Sequence, residues 1–395
     1  MKNMVRIAYV LGSPFPTRKA YGVTTRETLK ALQESLYKVK IFCPQGTYVD
    51  DDFESVMNTI NSFDEIPLVK ILTHIGKLGK TRFNHFSWRF GLFLIITRNI
   101  FTIKKFMPDL IWVRDPMIAY LLIKFIKHVP IIIEVHDRSG SFFYHKLLKH
   151  NSRVRYCPIN AVNLNFIKNL DSEVKTFLAP MGIRRDRIAT EKDCLEFITS
   201  LGKKNFRDIN IAYIGNFAPS RYSKGVEDLI DLAVFLQHNS LRYYVTLIGA
   251  TESEIVQFKS RNLQRKINSK YLKVEPYVSH SEALALMKNF DVLVLPAYRG
   301  EEYIGMPLKL LEYIASARIT VVANIPLYKN LFFENFQPFY YSSGNPESLF
   351  ESIELAVNSK NLDRNIINGL DFVRRFTWDK RTEKIISFVK DNKNN

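Results

Sequence analysis

Apolar runs of four to seven residues recur along the chain, each followed by a turn and then by a longer stretch with helical spacing. Val5–Leu11, Tyr37–Cys43, Leu110–Val113, Ile131–Val135 and Val174–Leu178 form a first series. Ile209–Ile214, Tyr243–Ile248, Leu272–Pro276, Val292–Leu295 and Ile319–Ala323 form a second. Helical patterns near Thr24–Gln33, Gly225–Gln237 and from Pro307 onward lie between them. Apolar strands alternating with helices predict parallel sheets covered on both faces. Two such series predict an α/β chain of two doubly wound domains. The charged stretch 183–207 between them reads as the linker. Ligands of open α/β sheets sit beyond the carboxyl ends of the strands, so the loops after strands are where function is expected.

Composition narrows the partners. The 395 residues carry a formal net charge of +17, which points to anionic company: nucleic acid, a membrane surface or phosphorylated small molecules. Cys43, Cys157 and Cys194 are far apart and match no metal or disulfide spacing, so a reducing, cytoplasmic setting is expected. The N-terminal run is too short and interrupted for a signal peptide. No run of 18 apolar residues is present, and Arg98 breaks the nearest approach, residues 90–101.

Several of the loops carry candidate chemistry. After the first strand, Gly12 and Gly22 do not complete a G-x-G-x-x-G motif, and Thr24 or Thr25 reads as a helix N-cap. Arg18 and Lys19 in this loop suit a phosphate or plain solvation. His136, Asp137 and Arg138 follow a buried strand at its carboxyl end, where both a structural and a functional reading stand. In IGNFAPSRYSKGVEDLI, Gly215, a polar loop and Lys224-Gly225 lead into a helix. This resembles a phosphate cradle without being a P-loop. Lys224 opposes the helix dipole, which makes sense if an anion binds between them. In GMPLKLLEYIASA, residues 305–317, Gly305 permits close backbone approach, Pro307 gives up an already orphaned donor, and the remaining amides suit a diphosphate. Lys309 and Glu312 share one side of that helix. Glu312 lies roughly 7–8 Å along the axis. That is about the reach from a diphosphate to the hydroxyls of its ribose.

These motifs together resemble the retaining family-4 glycosyltransferases of GT-B architecture. The resemblance rests on YIGN with SKGVEDLI, LIGA, DVLVLPA, GMPLKLLEYIASARITVVA and the final FTWDKRTEKIISF. It implies two Rossmann-like domains facing a central cleft: an acceptor-binding domain over 1–182, a nucleotide-sugar domain over 208–375, and a helix over 376–395 crossing back to the first. It implies hexosyl transfer from a nucleotide-diphosphate sugar to a glycan or lipid-linked acceptor, as in polysaccharide biosynthesis, with no cofactor; no metal is expected because Lys224, Lys309 and Arg221, with helix-start amides, can neutralise a leaving diphosphate. Gly215, Asn216, Arg221, Lys224, Tyr277, Val278, Glu302, Gly305, Met306, Pro307, Leu308, Lys309 and Glu312 would contact the donor. Arg18, Lys19, Gly22, Arg114 and Arg138 would serve the acceptor, and His136 would sit near the transferred sugar. Three positions depart from the family's pattern. Ile304 stands where a second glutamate is usual, with Glu301 and Glu302 nearby. Asn216 replaces an arginine, for which Arg221 can compensate. Met181-Gly182 replaces an Asn-Gly pair. Competing readings are a nucleotide-sugar epimerase of the same fold and a basic nucleic-acid-binding protein. The latter has only the charge in its favour. A metal-dependent transferase of the other major fold would need an acidic pair such as Asp50–Asp52 offers, a run better read as a solvated loop.

Residues 70–106 hold Lys70, Lys77, Lys80, Arg82, Arg89, Arg98, Lys104 and Lys105 with no acidic residue, interleaved with Phe83, Phe86, Trp88, Phe90, Phe93, Phe101 and Phe106. Such a stretch suits an anionic membrane surface, which predicts peripheral attachment on the cytoplasmic face. Some of these aromatics are also expected to cover the first sheet.

Overall fold

The computed structural model describes residues 4–17, 20–46, 54, 56–62, 82–138, 140–150, 152–202, 208–217, 224–297, 308–329 and 336–391. They form two compact units, each built on a six-stranded parallel sheet. The first sheet contains β1 (Arg6–Val10), β2 (Lys38–Cys43), β3 (Ile60–Ser62), β4 (Leu110–Val113), β5 (Ile131–Val135) and β6 (Val154–Pro158), in the order β3-β2-β1-β4-β5-β6. The second contains β7 (Ile209–Ile214), β8 (Tyr243–Ala250), β9 (Leu272–Pro276), β10 (Val292–Leu295), β11 (Ile319–Ala323) and β12 (Phe339–Tyr341), in the order β12-β11-β10-β7-β8-β9. Both follow the same doubly wound order. The strand order reverses between β1 and β4 in one sheet and between β7 and β10 in the other, and these reversal points open crevices at the strand ends.

Strands β4 and β10 read as continuous apolar runs because both faces are covered. In β1, Ile7 and Tyr9 join Trp112, Ile132 and Cys157 under helix Ala20–Glu34 and the final helix Trp378–Asp391, which contributes Ile385, Ile386 and Val389. Ala8 and Val10 point the other way and join Val113, Ile133 and Val135 under helices Arg82–Lys105 and Pro116–Phe125. Each fully buried aliphatic side chain contributes about 1.5–3 kcal/mol.

Local reading and structure differ at identifiable places. Val174–Leu178 is not a strand of the sheet; the edge strand is β6, whose apolar run is broken by the buried Arg155. Residues 174–178 instead run beside it, with Phe177 N–H donating to the Tyr156 carbonyl at 3.0 Å. Strands β3 and β12 are three residues each, too short to show a period. The expected linker, 183–207, is not irregular: it contains helix Glu191–Gly202, which buries Cys194 and Phe197 and packs on helix Leu362–Val373 of the second unit. Thr24 and Thr25 are not N-caps, because helix Ala20–Glu34 has already begun before them. Among the described residues no helix is long and apolar enough to cross a membrane.

Candidate functional site

The reversal point of the second sheet gathers the charged residues of the chain's second half. Strand β7 ends at Ile214, whose N–H donates to the Tyr313 phenol oxygen at 2.9 Å. Tyr313 is fully buried on helix Leu308–Ala315, so this bond fixes that helix against the end of β7. Gly215 follows. A Cβ there would run into the Cε and Nζ of Lys309, so only glycine lets the lysine chain lie across the backbone. Gly225 holds a φ of 76°, and a Cβ on it would strike the Ala297 carbonyl just beyond β10. Lys224 N–H closes the same loop on the Phe217 carbonyl at 2.9 Å. The loops after β7 and β10 and the start of helix Leu308–Ala315 therefore meet at one place.

The electrostatics of this place are unusual. Burial pushes the Lys224 ammonium down to about 7, and the nearby Lys309 charge pushes in the same direction. Lys309 is itself lowered by burial, with Glu312 working against the shift. Two half-buried cations that repel each other beside a helix start make a place suited to an anion. Glu312, one turn further along, accepts from His280 Nε2 at 2.7 Å. Burial alone would raise its carboxyl, but His280, Lys309 and Arg187 hold it below the ordinary glutamate value. His280 opens helix His280–Leu286, which is fixed by a capping box between Ser279 and Glu282.

The other expected donor residues are distributed around this centre. Asn216 is exposed next to Gly215, and its carbonyl accepts from the Tyr213 phenol at 3.0 Å. Tyr277 and Val278 follow β9; Tyr277 is 39% exposed and its N–H donates to the Ala250 carbonyl. Leu308 is half-buried at the helix start. Arg221, Glu301, Glu302, Gly305, Met306 and Pro307 lie outside the described residues, as do Arg18, Lys19 and Asp50–Asp52.

In the first unit, a second polar cluster lies where β1, β4 and β5 end. Glu134 is fully buried, in an otherwise apolar strand. Its Oε2 accepts from Arg114 Nε and His136 Nε2, both at 2.9 Å, and its Oε1 accepts from Arg381 at 2.7 Å. Arg114 also donates to the Tyr9 phenol oxygen at 3.0 Å and to Thr24 Oγ1 at 2.9 Å. Burial, then the Arg114 charge, lower His136, while Glu134 opposes this. The structure corrects the reading of two expected acceptor contacts. Arg114 is turned inward and engaged by Tyr9, Glu134 and Thr24, and Gly22 lies inside a helix where a Cβ would strike the Thr17 carbonyl. Arg138 is exposed.

The fold has known counterparts. Sucrose-phosphate synthase from Thermosynechococcus elongatus superposes with a TM-score of 0.72 at 12% identity, over 98% of each chain. A glycosyltransferase from Rickettsia africae gives 0.67 at 15% identity over the whole of both chains. Anabaena Alr3699/HepE in complex with UDP and glucose gives 0.66 at 13% identity, over 98% of this chain and 99% of that one. The fold is GT-B. Residues 201–369, which include the whole lysine–glutamate centre, match the family model of the glycosyl transferases group 1. No curated protein sequence matches the chain. In this GT-B chain, Gly215, Lys224, Lys309 and Glu312, which come from two separate motifs, lie close together. Sequence reasoning missed Arg187, His280, Glu134 and Arg381. Arg187 was assigned to the linker, and His280 sits in an ordinary capping motif. The visible sign of Glu134 was a lone carboxylate within the apolar run IIIEV.

Proposed function

We propose that this protein is a retaining, metal-independent glycosyltransferase that moves a hexosyl group from a nucleotide-diphosphate sugar to a glycan or lipid-linked acceptor. The observation that carries the reading is the Lys224–Lys309 pair beside Gly215, supported by the group 1 match over the same residues. Two half-buried ammonium groups at a helix start supply the charge that a departing nucleoside diphosphate needs, which is the role a divalent ion plays elsewhere. Glu312 is a natural acceptor for the vicinal ribose hydroxyls. The glucose and UDP bound to the similarly folded Anabaena protein make UDP-glucose the first donor to try.

The lipid-linked acceptor and peripheral attachment are supported by helix Arg82–Lys105. Its exposed side carries Phe90, Phe93, Phe101 and Lys104 at helical spacing, with Arg98 and Lys105 alongside. From Phe90 to Lys105 there is no acidic residue. The adjoining helices add exposed Lys124, Phe125 and Phe142. Exposed aromatic rings among cations that have no ion pair among the described residues complement anionic lipid on the cytoplasmic face. Of the expected basic residues, Lys70, Lys77 and Lys80 lie outside the described set, and only the backbone of Arg82 and Arg89 is described.

The test is a thermal-shift panel of UDP, GDP, ADP and CMP with their sugars, in EDTA. A nucleotide present at 100 times its Kd stabilises by about 2.7 kcal/mol. Turnover of the stabilising donor is then followed by NMR. An α-linked product from an α-linked donor is expected; a β-linked product overturns retention, and loss of turnover in EDTA restored by Mn²⁺ overturns metal independence. Interconversion of sugars without transfer identifies an epimerase instead.

A further inference from the structure

We infer that Glu134 is a positioning residue that holds His136 protonated on Nε2, so that Nδ1 is left as a hydrogen-bond acceptor for a carbohydrate hydroxyl. The hydroxyl-bearing ligand rests on the transferase reading above, whereas the tautomer does not.

The argument begins with charge. Glu134 lies between the Arg114 and Arg381 guanidinium groups, each within hydrogen-bond distance, and none of these three side chains is more than 12% exposed. Both arginines are permanent cations and donors only. A carboxyl between them stays ionised, and an ionised carboxylate only accepts. The His136 Nε2 atom, 2.9 Å from Glu134 Oε2, must therefore be the donor. Two buried cations against one buried anion leave a net positive cluster, which disfavours a second proton on the ring; Tyr9, the remaining titratable group bonded to Arg114, is a neutral phenol held up by burial. The ring is thus neutral, protonated on Nε2 and basic on Nδ1. Among the described residues no hydrogen bond engages Nδ1, and the side chain is 26% exposed.

The same cluster explains why the final helix is tied to this place. Arg381 from helix Trp378–Asp391 donates to Glu134 and, through Nε, to the Pro180 carbonyl at 2.9 Å. Partners 247 residues apart thereby set the protonation pattern of His136. A neutral imidazole fixed in this way accepts from a sugar hydroxyl without rotating and does not compete as a donor.

Nitrogen-15 NMR of the wild-type chain, with His136→Asn for assignment, reads the tautomer directly. An Nε2–H neutral ring near neutral pH is expected; an Nδ1–H ring or an imidazolium overturns the inference. Glu134→Gln places an amide N–H against the ring or an arginine, and is expected to shift the ring toward Nδ1–H. With a donor that is turned over, the same variant should lower kcat roughly tenfold, the worth of one substrate hydrogen bond, and leave nucleotide affinity unchanged. An unchanged kcat with an altered tautomer removes the role toward the sugar. If Glu134→Gln does not fold, the wild-type spectrum still decides the tautomer, and His136→Phe replaces it in the kcat measurement. If no nucleotide sugar is turned over, the transferase reading fails while the tautomer is still decided by the spectrum.

Discussion

Lys309 occupies the space in which a Cβ on Gly215 would stand. The two residues come from different motifs, and their contact joins a strand end to a helix start at the proposed phosphate site. Gly215→Ala is therefore expected to displace Lys309, weaken nucleotide binding by tenfold or more, and cost about 1–3 kcal/mol of stability through overpacking. Gly202→Ala, where a new methyl meets nothing within 4 Å, is the control and should change neither. Titration calorimetry and thermal melts check both; equal affinity in the two variants would sink the site.

Replacing Lys224 should separate stability from function. Its ammonium is held near 7 by burial and by Lys309, against 10.5 for a free lysine. The folded state then binds fewer protons than the unfolded state between those values. This group's penalty is full below pH 7 and is relieved as pH rises toward 10.5. Each tenfold loss of proton affinity corresponds to about 1.4 kcal/mol, so Lys224→Met is expected to stabilise the unliganded protein by a few kcal/mol near pH 7. It should also abolish nucleotide binding. A destabilised variant that still binds refutes the assignment.

The same depressed ammonium predicts the pH dependence of binding. A bound diphosphate favours the charged lysine, so above pH 7 each binding event takes up a proton. Affinity is expected to fall as pH rises beyond about 7, by up to about tenfold for each step of one in pH. Calorimetry in buffers of different ionisation enthalpy should show proton uptake at pH 8, and its absence would remove Lys224 from the phosphate site.

Glu312→Ala should weaken a nucleotide by about 1.5–3 kcal/mol, the worth of a charged hydrogen-bond acceptor, with little loss of fold. His280 then loses its partner at 2.7 Å. Dideoxyribose analogues, which lack both vicinal hydroxyls, give the sharper check: they should bind the wild type and Glu312→Ala alike. If the variant still discriminates ribose from dideoxyribose as the wild type does, the carboxylate does not read the sugar.

Attachment to lipid is expected to depend on the exposed stripe of helix Arg82–Lys105. Phe101 is 80% exposed there, followed by Lys104 and Lys105. Each cation near an anionic surface is worth about 1 kcal/mol. Co-sedimentation with anionic vesicles should fall with salt and fall further in Phe101→Ser with Lys104→Gln and Lys105→Gln. Equal sedimentation with neutral and anionic vesicles would remove the electrostatic argument.

The sequence by itself determined what depends on a local period. β4 and β10 stand where continuous apolar runs put them, because a strand covered on both faces must be apolar at every position. Lys309 and Glu312 face one side because three residues are nearly one helical turn. Segments without a period, such as three-residue β3 and β12, left no trace, and residues 174–178 matched a strand pattern but are joined to β6 only through an isolated bridge. Tertiary structure alone decided which distant groups became partners. Tyr313 reaches Ile214 across 99 residues because β7 lies beside β10 at the strand reversal. Arg114, expected to serve an acceptor, is drawn inward, and Arg381 comes from the far end of the chain to meet the same carboxylate. A buried charge must find its counter-charge, and where that partner lies in the sequence is fixed by strand order and helix return, not by any spacing along the chain.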